Sequence, residues 1–87
     1  MEWDISFSKQ ALSFIKKNHL SEEVLTLVKL AIGNFQGERV SVDVRKMKGE
    51  WKGFYRIRKG KYRIVASFDF DKSSVFVEVV DWRGNIY

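Results

Sequence analysis

The residues best suited to chemistry in this chain are cationic and lie close together in the sequence. Residues 45–63 hold nine lysines and arginines and a single acid, Glu50, so this basic segment has a net charge of +8, whereas the whole 87-residue chain carries +5. Aromatic and apolar side chains interrupt the charges, namely Trp51, Phe54, Tyr55, Ile57 and Tyr62. A solvated tail would not carry them. The segment therefore predicts a folded surface for a polyanion, most simply one that binds phosphates.

A hairpin at Gly60 is expected to sort these side chains onto two faces of a sheet. If Lys59-Gly60 is a two-residue loop, Arg56 lies directly opposite Arg63, and Arg58 lies opposite Lys61. Residues opposite each other on antiparallel strands share a face. One face then carries the apolar set, Tyr55, Ile57, Tyr62 and Ile64, and the other carries the cationic set, Arg56, Arg58, Lys61 and Arg63. A four-residue loop would give the same two faces, because a shift of two residues preserves the alternation.

Four cations in cross-strand pairs are unusual in a purely structural sheet. Like charges directly opposite each other destabilise a sheet, by up to about 1 kcal/mol for each pair. Two interpretations stay open. The side chains either splay into solvent, where exposed charges contribute little, or they hold an anion such as a phosphate. The near absence of acids within residues 45–63 favours the anion site. We also expect Arg56, Arg58 and Arg63 to form one solvent-open cluster without acidic partners in the isolated chain.

The composition argues against several other kinds of site. The chain has no cysteine and a single histidine, His19, so we expect no disulfide, no metal site and no cofactor. His19 falls in a polar turn between two predicted helices, and a surface position is its simplest interpretation. No apolar run approaches the ~18 residues of a membrane span, and the acidic start MEWD does not resemble a signal peptide. We therefore expect a cytoplasmic protein.

The pattern along the chain predicts a single small α+β domain over residues 1–87. Alternation predicts a strand at 3–7, and apolar stripes predict helices at 8–18 and 21–36, with Ser8 and Ser21 as N-caps and Gly37 as a helix stop. A connection, residues 38–53, leads into strands expected at 54–59, 62–70 and 74–82. Short turns between these strands predict an antiparallel three-stranded meander, which the first strand joins and the helices cover on one face.

Two stretches of the sequence resemble the RelE/ParE superfamily of bacterial and archaeal toxins. Residues 47–65 (MKGEWKGFYRIRKGKYRIV) are similar to that family's run of Tyr-Arg-Ile-Arg followed by Gly-x-Tyr-Arg. Residues 79–87 (VVDWRGNIY) are similar to its closing strand, which ends in an arginine and then a tyrosine. The order of strand, helical hairpin and meander is also the family's. The resemblance covers nearly the whole chain and implies a RelE/ParE-like fold.

The resemblance also implies an activity and a site. RelE-type members cleave mRNA on the ribosome, without a metal ion, through basic side chains and a C-terminal tyrosine. Matched by motif, the catalytic residues would be Arg56 and Arg58 on the central strand, Arg63 at the scissile phosphate, and the closing Arg83 and Tyr87. Some members use a glutamate as general base where this chain has Arg45, and many have His-Arg where it has Trp82-Arg83. The identity of the proton acceptor therefore stays open.

The chemistry of RNA cleavage suggests how these residues would divide the work. Two-donor guanidinium groups stabilise charge at the phosphorus, a role that we assign to Arg56 and Arg63. Arg58 and Arg83 would hold flanking phosphates or assist proton transfer, and Tyr87 would stack on a base or act through its hydroxyl. The other basic residues of the segment, with Trp82 as a stacking side chain, are expected to bind RNA: Arg45, Lys46, Lys48, Lys52, Lys59 and Lys61. Trp51 is expected to anchor its loop.

Three functions remain open on the sequence. The first is a RelE-like mRNA endonuclease, whose partners would be the ribosome, mRNA and a cognate antitoxin. The second is a ParE-like toxin that inhibits DNA gyrase, although ParE-type members lack the cluster of arginines present here. The third is a nucleic-acid-binding module without enzymatic activity, for which the basic face alone would suffice.

Overall fold

Residues 3–82, which the computed structural model describes, run from a strand through two helices into consecutive strands. In chain order the elements are β1 (Asp4–Phe7), α1 (Lys9–Asn18), α2 (Ser21–Phe35), β2 (Asp43–Lys46), a 3-10 turn (Gly49–Trp51), β3 (Tyr55–Lys59), β4 (Tyr62–Asp69) and β5 (Ser74–Trp82). The predicted first strand, the helical hairpin and the three strands of the meander are confirmed, with boundaries within a residue or two of those expected.

The ends of α1 follow from two local signals. Ser8 has an extended backbone, and its Oγ accepts a hydrogen bond from the Ala11 amide at 3.1 Å, as expected of an N-cap. His19 ends the helix in the left-handed conformation, with φ at 55°, which histidine adopts more readily than most residues do. His19 is exposed, so its place in the fold is that of a helix terminator on the surface.

The start of α2 differs from the expectation. Leu20 occupies the N-cap position and makes no side-chain capping hydrogen bond. Ser21 is the first helical residue, so its assignment as an N-cap is wrong. The first turn instead carries Glu22 and Glu23, whose negative charges interact favourably with the positive end of the helix dipole. The start of α2 is thus stabilised by charge, whereas the start of α1 is capped by a hydrogen bond.

The strands of the described region form one sheet in the order β1-β5-β4-β3-β2. β3, β4 and β5 are antiparallel neighbours, whereas β1 pairs with β5 in parallel. The edge strand β2 lies inside residues 38–53, so the expectation of a plain connection there is wrong. Val40, Val42 and Val44 alternate with polar residues up to Arg45, and this alternation was a strand signal that the prediction missed. Residues 43–46 of this stretch pair with β3.

Both helices pack on the same face of the sheet. The strand residues beneath them include several that are fully buried, and these cluster with buried helix residues such as Val24 and Val28: Ile57, Ile64, Val77 and Val80. Burying a side chain of this size contributes roughly 1.5–3 kcal/mol, so the apolar set is held under the helices. The alternate residues then point to the opposite face. Neither helix is long and apolar enough to cross a membrane.

Polar side chains at the start of α1 hold the second half of β5. β1 pairs only with Ser74–Val77. Beyond that point the Ser8 hydroxyl donates a hydrogen bond to the carbonyl of Glu78. The Gln10 amide then bonds both backbone groups of Val80, since Nε2 donates to the carbonyl at 3.0 Å and Oε1 accepts from the amide at 3.2 Å. These bonds satisfy backbone groups of β5 beyond the end of β1, and they position the end of β5.

Candidate functional site

The hairpin between β3 and β4 turns at Gly60 and Lys61. Lys59 pairs with Tyr62 across this turn. Gly60 has a φ of 69°, a positive value that a type II′ hairpin turn requires at its first loop position and that glycine adopts without strain. The loop expected at Lys59-Gly60, with the glycine second, is therefore wrong by one residue.

Moving the loop by one residue moves the cross-strand register by two. Arg58 lies opposite Arg63, and Arg56 lies opposite Val65. The expected pair of Arg56 with Arg63 does not form, and Lys61 sits in the turn rather than opposite Arg58. A shift of two preserves the alternation. The prediction that Arg56, Arg58 and Arg63 share the face away from the helices is therefore confirmed, although their partners differ.

Two rows of side chains cross this open surface, here called the arginine face and defined by Arg45, Arg56, Arg58 and Arg63. The first row runs from β2 to β5 as Asp43, Arg58, Arg63 and Asp81. Neighbouring strands lie about 4.8 Å apart. Two guanidinium groups are thus carried at adjacent positions, with an aspartate at each end of the row. The flanking carboxylates offset the repulsion between the two arginines.

Asp43 is paired with two of the arginines. Its Oδ2 lies 3.1 Å from Nε of Arg58, and its Oδ1 accepts a hydrogen bond from Nε of Arg45 at 3.2 Å. The expectation that the arginine cluster has no acidic partner within the chain is therefore wrong. Asp43 precedes the basic segment and reaches Arg58 because β2 pairs with β3. Both side chains of this pair are 33% exposed, so a ligand can approach them.

The second row consists of Arg45, Arg56, Val65 and Val79. Val65 is 1% exposed although it points away from the helices. Nε of Arg56, on the neighbouring strand, is also buried and has no hydrogen-bond partner among the described residues. An arginine stem lying along the sheet accounts for both observations. A buried donor left without a partner is uncommon in folded proteins.

Most lysines of the basic segment lie apart from the arginines. Three of them line a groove of about 560 Å³ with aromatic walls: Lys46, Lys48 and Lys52, with Phe54, Tyr55, Phe68 and Phe70. Phe35 of α2 packs against Tyr55 and Phe68, with ring centres 4.8 and 5.0 Å apart. The groove therefore opens on the helix side of the sheet.

The remaining basic residues expected to bind RNA, Lys59, Lys61 and Arg45, lie on the arginine face or at its rim. Lys59 and Lys61 flank Gly60 in exposed positions at the hairpin turn. Arg45 is 68% exposed and lies directly opposite Arg56. Of the six basic residues expected to bind RNA, the structure thus places Arg45 on the arginine face, two lysines at its rim, and three lysines in the separate groove.

The tryptophans have structural contacts. Trp82 packs against Phe14 of α1, with ring centres 5.1 Å apart, and lies opposite Tyr62 in the register. It is therefore on the helix side of the sheet, and the structure does not bring it to the arginine face, where stacking on RNA was expected. Trp51 packs edge-on against Phe54 at 5.4 Å, in keeping with its expected role in anchoring the loop.

Two of the five expected catalytic residues, Arg83 and Tyr87, lie outside the described residues. The structure adds two acids that the sequence interpretation did not assign, Asp43 and Asp81. Each lies in the sequence just before a basic motif, Asp43 before Arg45 and Asp81 before Arg83. Their positions beside these motifs could have drawn attention to the two acids, but only the pairing of strands shows that they lie in one row with Arg58 and Arg63. No group of three potential metal-ligating side chains occurs within residues 3–82.

Tyr62 is a further titratable residue close to the hairpin, on the helix side. Burial raises the pKa of its hydroxyl above the ordinary value, and the nearby Glu23 carboxylate raises it further. Both causes favour the neutral phenol. Tyr62 is therefore part of the packing beneath the hairpin rather than of the arginine face.

Solved structures of similar fold are toxins from toxin–antitoxin pairs. The RelBE2 complex of Mycobacterium tuberculosis matches with a TM-score of 0.62 and 25% identity over 95% of this chain and 100% of that one. The RelB–RelE complex of Methanococcus jannaschii matches with a TM-score of 0.64 and 25% identity over 94% of each chain. The YoeB–YefM complex of Staphylococcus aureus gives 0.69 and 20%, over 95% and 99%.

No protein-family model and no curated protein sequence matches this chain. The structural matches nevertheless extend over nearly the whole chain and include the strand, the helical hairpin and the sheet. They confirm the expected fold. The structural neighbours of this chain are toxins of the RelE, YafQ and YoeB kind from type II toxin–antitoxin systems, and the chain has their small α+β fold.

Proposed function

We propose that this chain is the toxin of a toxin–antitoxin pair and that it inhibits translation by cleaving mRNA on the ribosome. The observation that carries the proposal is the placement of Arg58 beside Arg63, with Arg45 and Arg56 in the next row, on the face of the sheet that neither α1 nor α2 covers. The solved complexes of similar fold contain a toxin bound to its antitoxin, which supports a cognate antitoxin as the protein partner.

The proposed reaction occurs at one phosphodiester of the mRNA. The ribose 2′-oxygen attacks the adjacent phosphorus, the bond to the 5′-oxygen breaks, and the products end in a 2′,3′-cyclic phosphate and a 5′-hydroxyl. Negative charge grows on the phosphoryl oxygens in the transition state, and guanidinium groups stabilise it with two donors each. Arginines stay charged at any physiological pH, so the scheme needs no metal ion.

The observed register changes which arginines would hold the reacting phosphate. Since Arg58, and not Arg56, lies opposite Arg63, we assign the phosphate clamp to Arg58 and Arg63. Arg45 and Arg56 in the second row would hold a neighbouring phosphate. Arg83 and Tyr87 keep the roles that the resemblance implies, which are a contact to a flanking phosphate and either base stacking or hydroxyl chemistry.

Induced expression, followed by mapping of mRNA 5′ ends and of DNA breaks, tests the proposal. We expect cuts within translated reading frames, in register with the ribosome, that disappear when initiation of translation is blocked. Gyrase-linked DNA breaks without these cuts would support a ParE-like toxin instead. Neither kind of damage would leave nucleic-acid binding as the function.

A further inference from the structure

We infer that Asp43 is the general base that accepts the proton of the ribose 2′-hydroxyl. The inference rests on the proposed RNA cleavage and extends it to a residue that the sequence motifs do not include. Attack by a 2′-hydroxyl requires a proton acceptor within hydrogen-bond reach, and a carboxylate is one of the side chains suited to this role. Arginine is poorly suited, because it does not give up its proton.

A cleft at the edge of the arginine face brings the required groups together. It has a volume of about 180 Å³, and it is lined by Asp43, Arg58, Lys59 and Gly60. The carboxylate and one of the two proposed phosphate ligands therefore share its walls. The ion pair is partly exposed, since each of its side chains is 33% accessible, so a ribose can approach the carboxylate directly.

The geometry of the ion pair leaves Arg58 able to bind a phosphate. The contact to Asp43 uses Nε of Arg58, at 3.1 Å, and the two terminal amino groups are not needed for it. Asp43 and Arg63 are two strands apart in the same row, or about 10 Å between backbones. A ribose on the β2 side of a phosphate held between Arg58 and Arg63 would have its 2′-hydroxyl near Asp43.

Asp81 is the other carboxylate in this row, and it is less suited to the role. Its Oδ1 accepts a hydrogen bond from the backbone amide of Trp82 at 2.7 Å. Asp81 also does not line the cleft beside the hairpin. Asp43, in contrast, is held by the side chains of Arg45 and Arg58, which orient its carboxylate on the arginine face.

The proton and the bonds balance in a single step. The 2′-hydroxyl proton passes to Asp43 as the 2′-oxygen bonds to phosphorus. The bond from phosphorus to the 5′-oxygen breaks, the 5′-oxygen takes a proton from water, and Asp43 later returns its own proton to solvent. No oxidant, reductant or further reactant takes part.

The test is the single-turnover cleavage of mRNA on programmed ribosomes by the purified toxin, measured over a range of pH. Asp43→Asn should lower the rate by about 100- to 10,000-fold, the usual contribution of a general base, with little change in the concentration of ribosomes needed for half-maximal rate. The fall in wild-type rate at acidic pH, where a carboxylate is protonated, should be absent from this variant. Asp43→Glu should recover part of the rate and restore that fall.

Glu50→Gln is the matched control, because it also removes one negative charge, at an exposed residue of the basic segment that does not line the cleft. It should cleave at the wild-type rate. An Asp43→Asn rate equal to the wild-type rate would overturn the inference. A slower Asp43→Asn variant whose rate still falls at acidic pH, that is, one that keeps the acidic limb of the pH profile, would also overturn it and would make Asp43 only a positioning residue for Arg58. If Asp43→Asn does not fold, an Asp43→Glu variant that lacks the acidic limb overturns it as well. Absence of cleavage by the wild type would instead refute the proposed function.

Discussion

At the scale of single residues, the conformation of Gly60 decides which arginines meet. With glycine at the first loop position, Arg58 faces Arg63, and the same pairing of strands brings Asp43 to the end of their row. Two guanidinium groups side by side match the arrangement of non-bridging oxygens on a phosphate. The catalytic importance of this pair can be tested by removing one of its members.

Arg63→Ala is expected to lower ribosome-dependent mRNA cleavage by about 100- to 1000-fold, because a charged donor aimed at transition-state charge contributes roughly 2.7–4 kcal/mol. Arg63→Lys should recover only part of this loss, since an ammonium group lacks the two-donor geometry. Arg39→Ala, at an exposed arginine after α2, is the control with the same change in charge. Growth arrest at the wild-type level on induction of Arg63→Ala would contradict the role proposed for this arginine.

A second residue-scale prediction concerns Tyr62. Because burial and Glu23 raise its pKa in the folded chain, the folded state holds the phenolic proton more tightly than the unfolded state does. The associated stability is complete below about pH 10 and is lost as the pH rises through the folded-state pKa. Urea titrations at a series of alkaline pH values should show a shallower loss of stability in Tyr62→Phe than in the wild type. Glu23→Gln should change the slope less, since burial is the larger cause, and parallel curves for Tyr62→Phe and the wild type would contradict the prediction.

At the scale of elements, β5 depends on the start of α1 as well as on β1. The two hydrogen bonds between the Gln10 side chain and Val80 replace strand pairing where β1 has ended. β5 is the strand that carries Asp81 and leads into Arg83. A loss of these bonds should therefore affect both the stability of the sheet and the alignment of the site.

Gln10→Ala is expected to lower the free energy of unfolding by about 1–2 kcal/mol, since each net hydrogen bond contributes roughly 0.5–1.5 kcal/mol and the Val80 groups lose their partner. Urea denaturation followed by circular dichroism measures this difference. Gln36→Ala serves as the control, because Gln36 is exposed at the end of α2 and, within residues 3–82, is bonded through its backbone amide. An unfolding midpoint for Gln10→Ala equal to that of Gln36→Ala would show that the edge of β5 does not need this side chain.

At the scale of the whole molecule, the positive charge of one sequence segment is divided between two surfaces. The arginines lie on the open face, whereas Lys46, Lys48 and Lys52 line the aromatic groove on the helix side. A single RNA strand on the arginine face would have to pass around the edge strand β2 to reach the groove. The two sets of cations should therefore contribute unequally to RNA affinity.

Arg45→Ala and Lys52→Ala make the same change in net charge on the two surfaces. Affinity for a single-stranded RNA, measured by fluorescence anisotropy at several salt concentrations, should fall more for Arg45→Ala. The slope of log affinity against log salt should decrease by about one for that variant, as expected when one phosphate contact is lost. Lys52→Ala should leave the slope near that of the wild type. Equal slopes for the two variants would mean that RNA also contacts the groove.

The sequence by itself determined the features that depend on neighbouring residues. The cap at Ser8, the two helices and the strands of the meander follow from local periodicity and hydrogen bonding, and they are present as expected. Alternation also predicted that Arg56, Arg58 and Arg63 share one face. This prediction held although the register differed, because a register shift of two residues leaves each side chain on the same face. The same rule, applied from Val80 to Trp82, would have put Trp82 on the helix side, where it packs against Phe14.

The tertiary structure alone decided which of these residues meet. The pair of Arg58 and Arg63 depends on the one backbone conformation adopted at Gly60. The pairing of Asp43 with Arg58 joins positions fifteen residues apart, and the alternation around β2 does not specify which strand it pairs with or in which register. The separation of lysines from arginines likewise reflects the two sides of a sheet, which a count of charges along the chain does not distinguish. Local pattern specifies faces, whereas contacts between strands depend on register, which is set by turns and long-range packing.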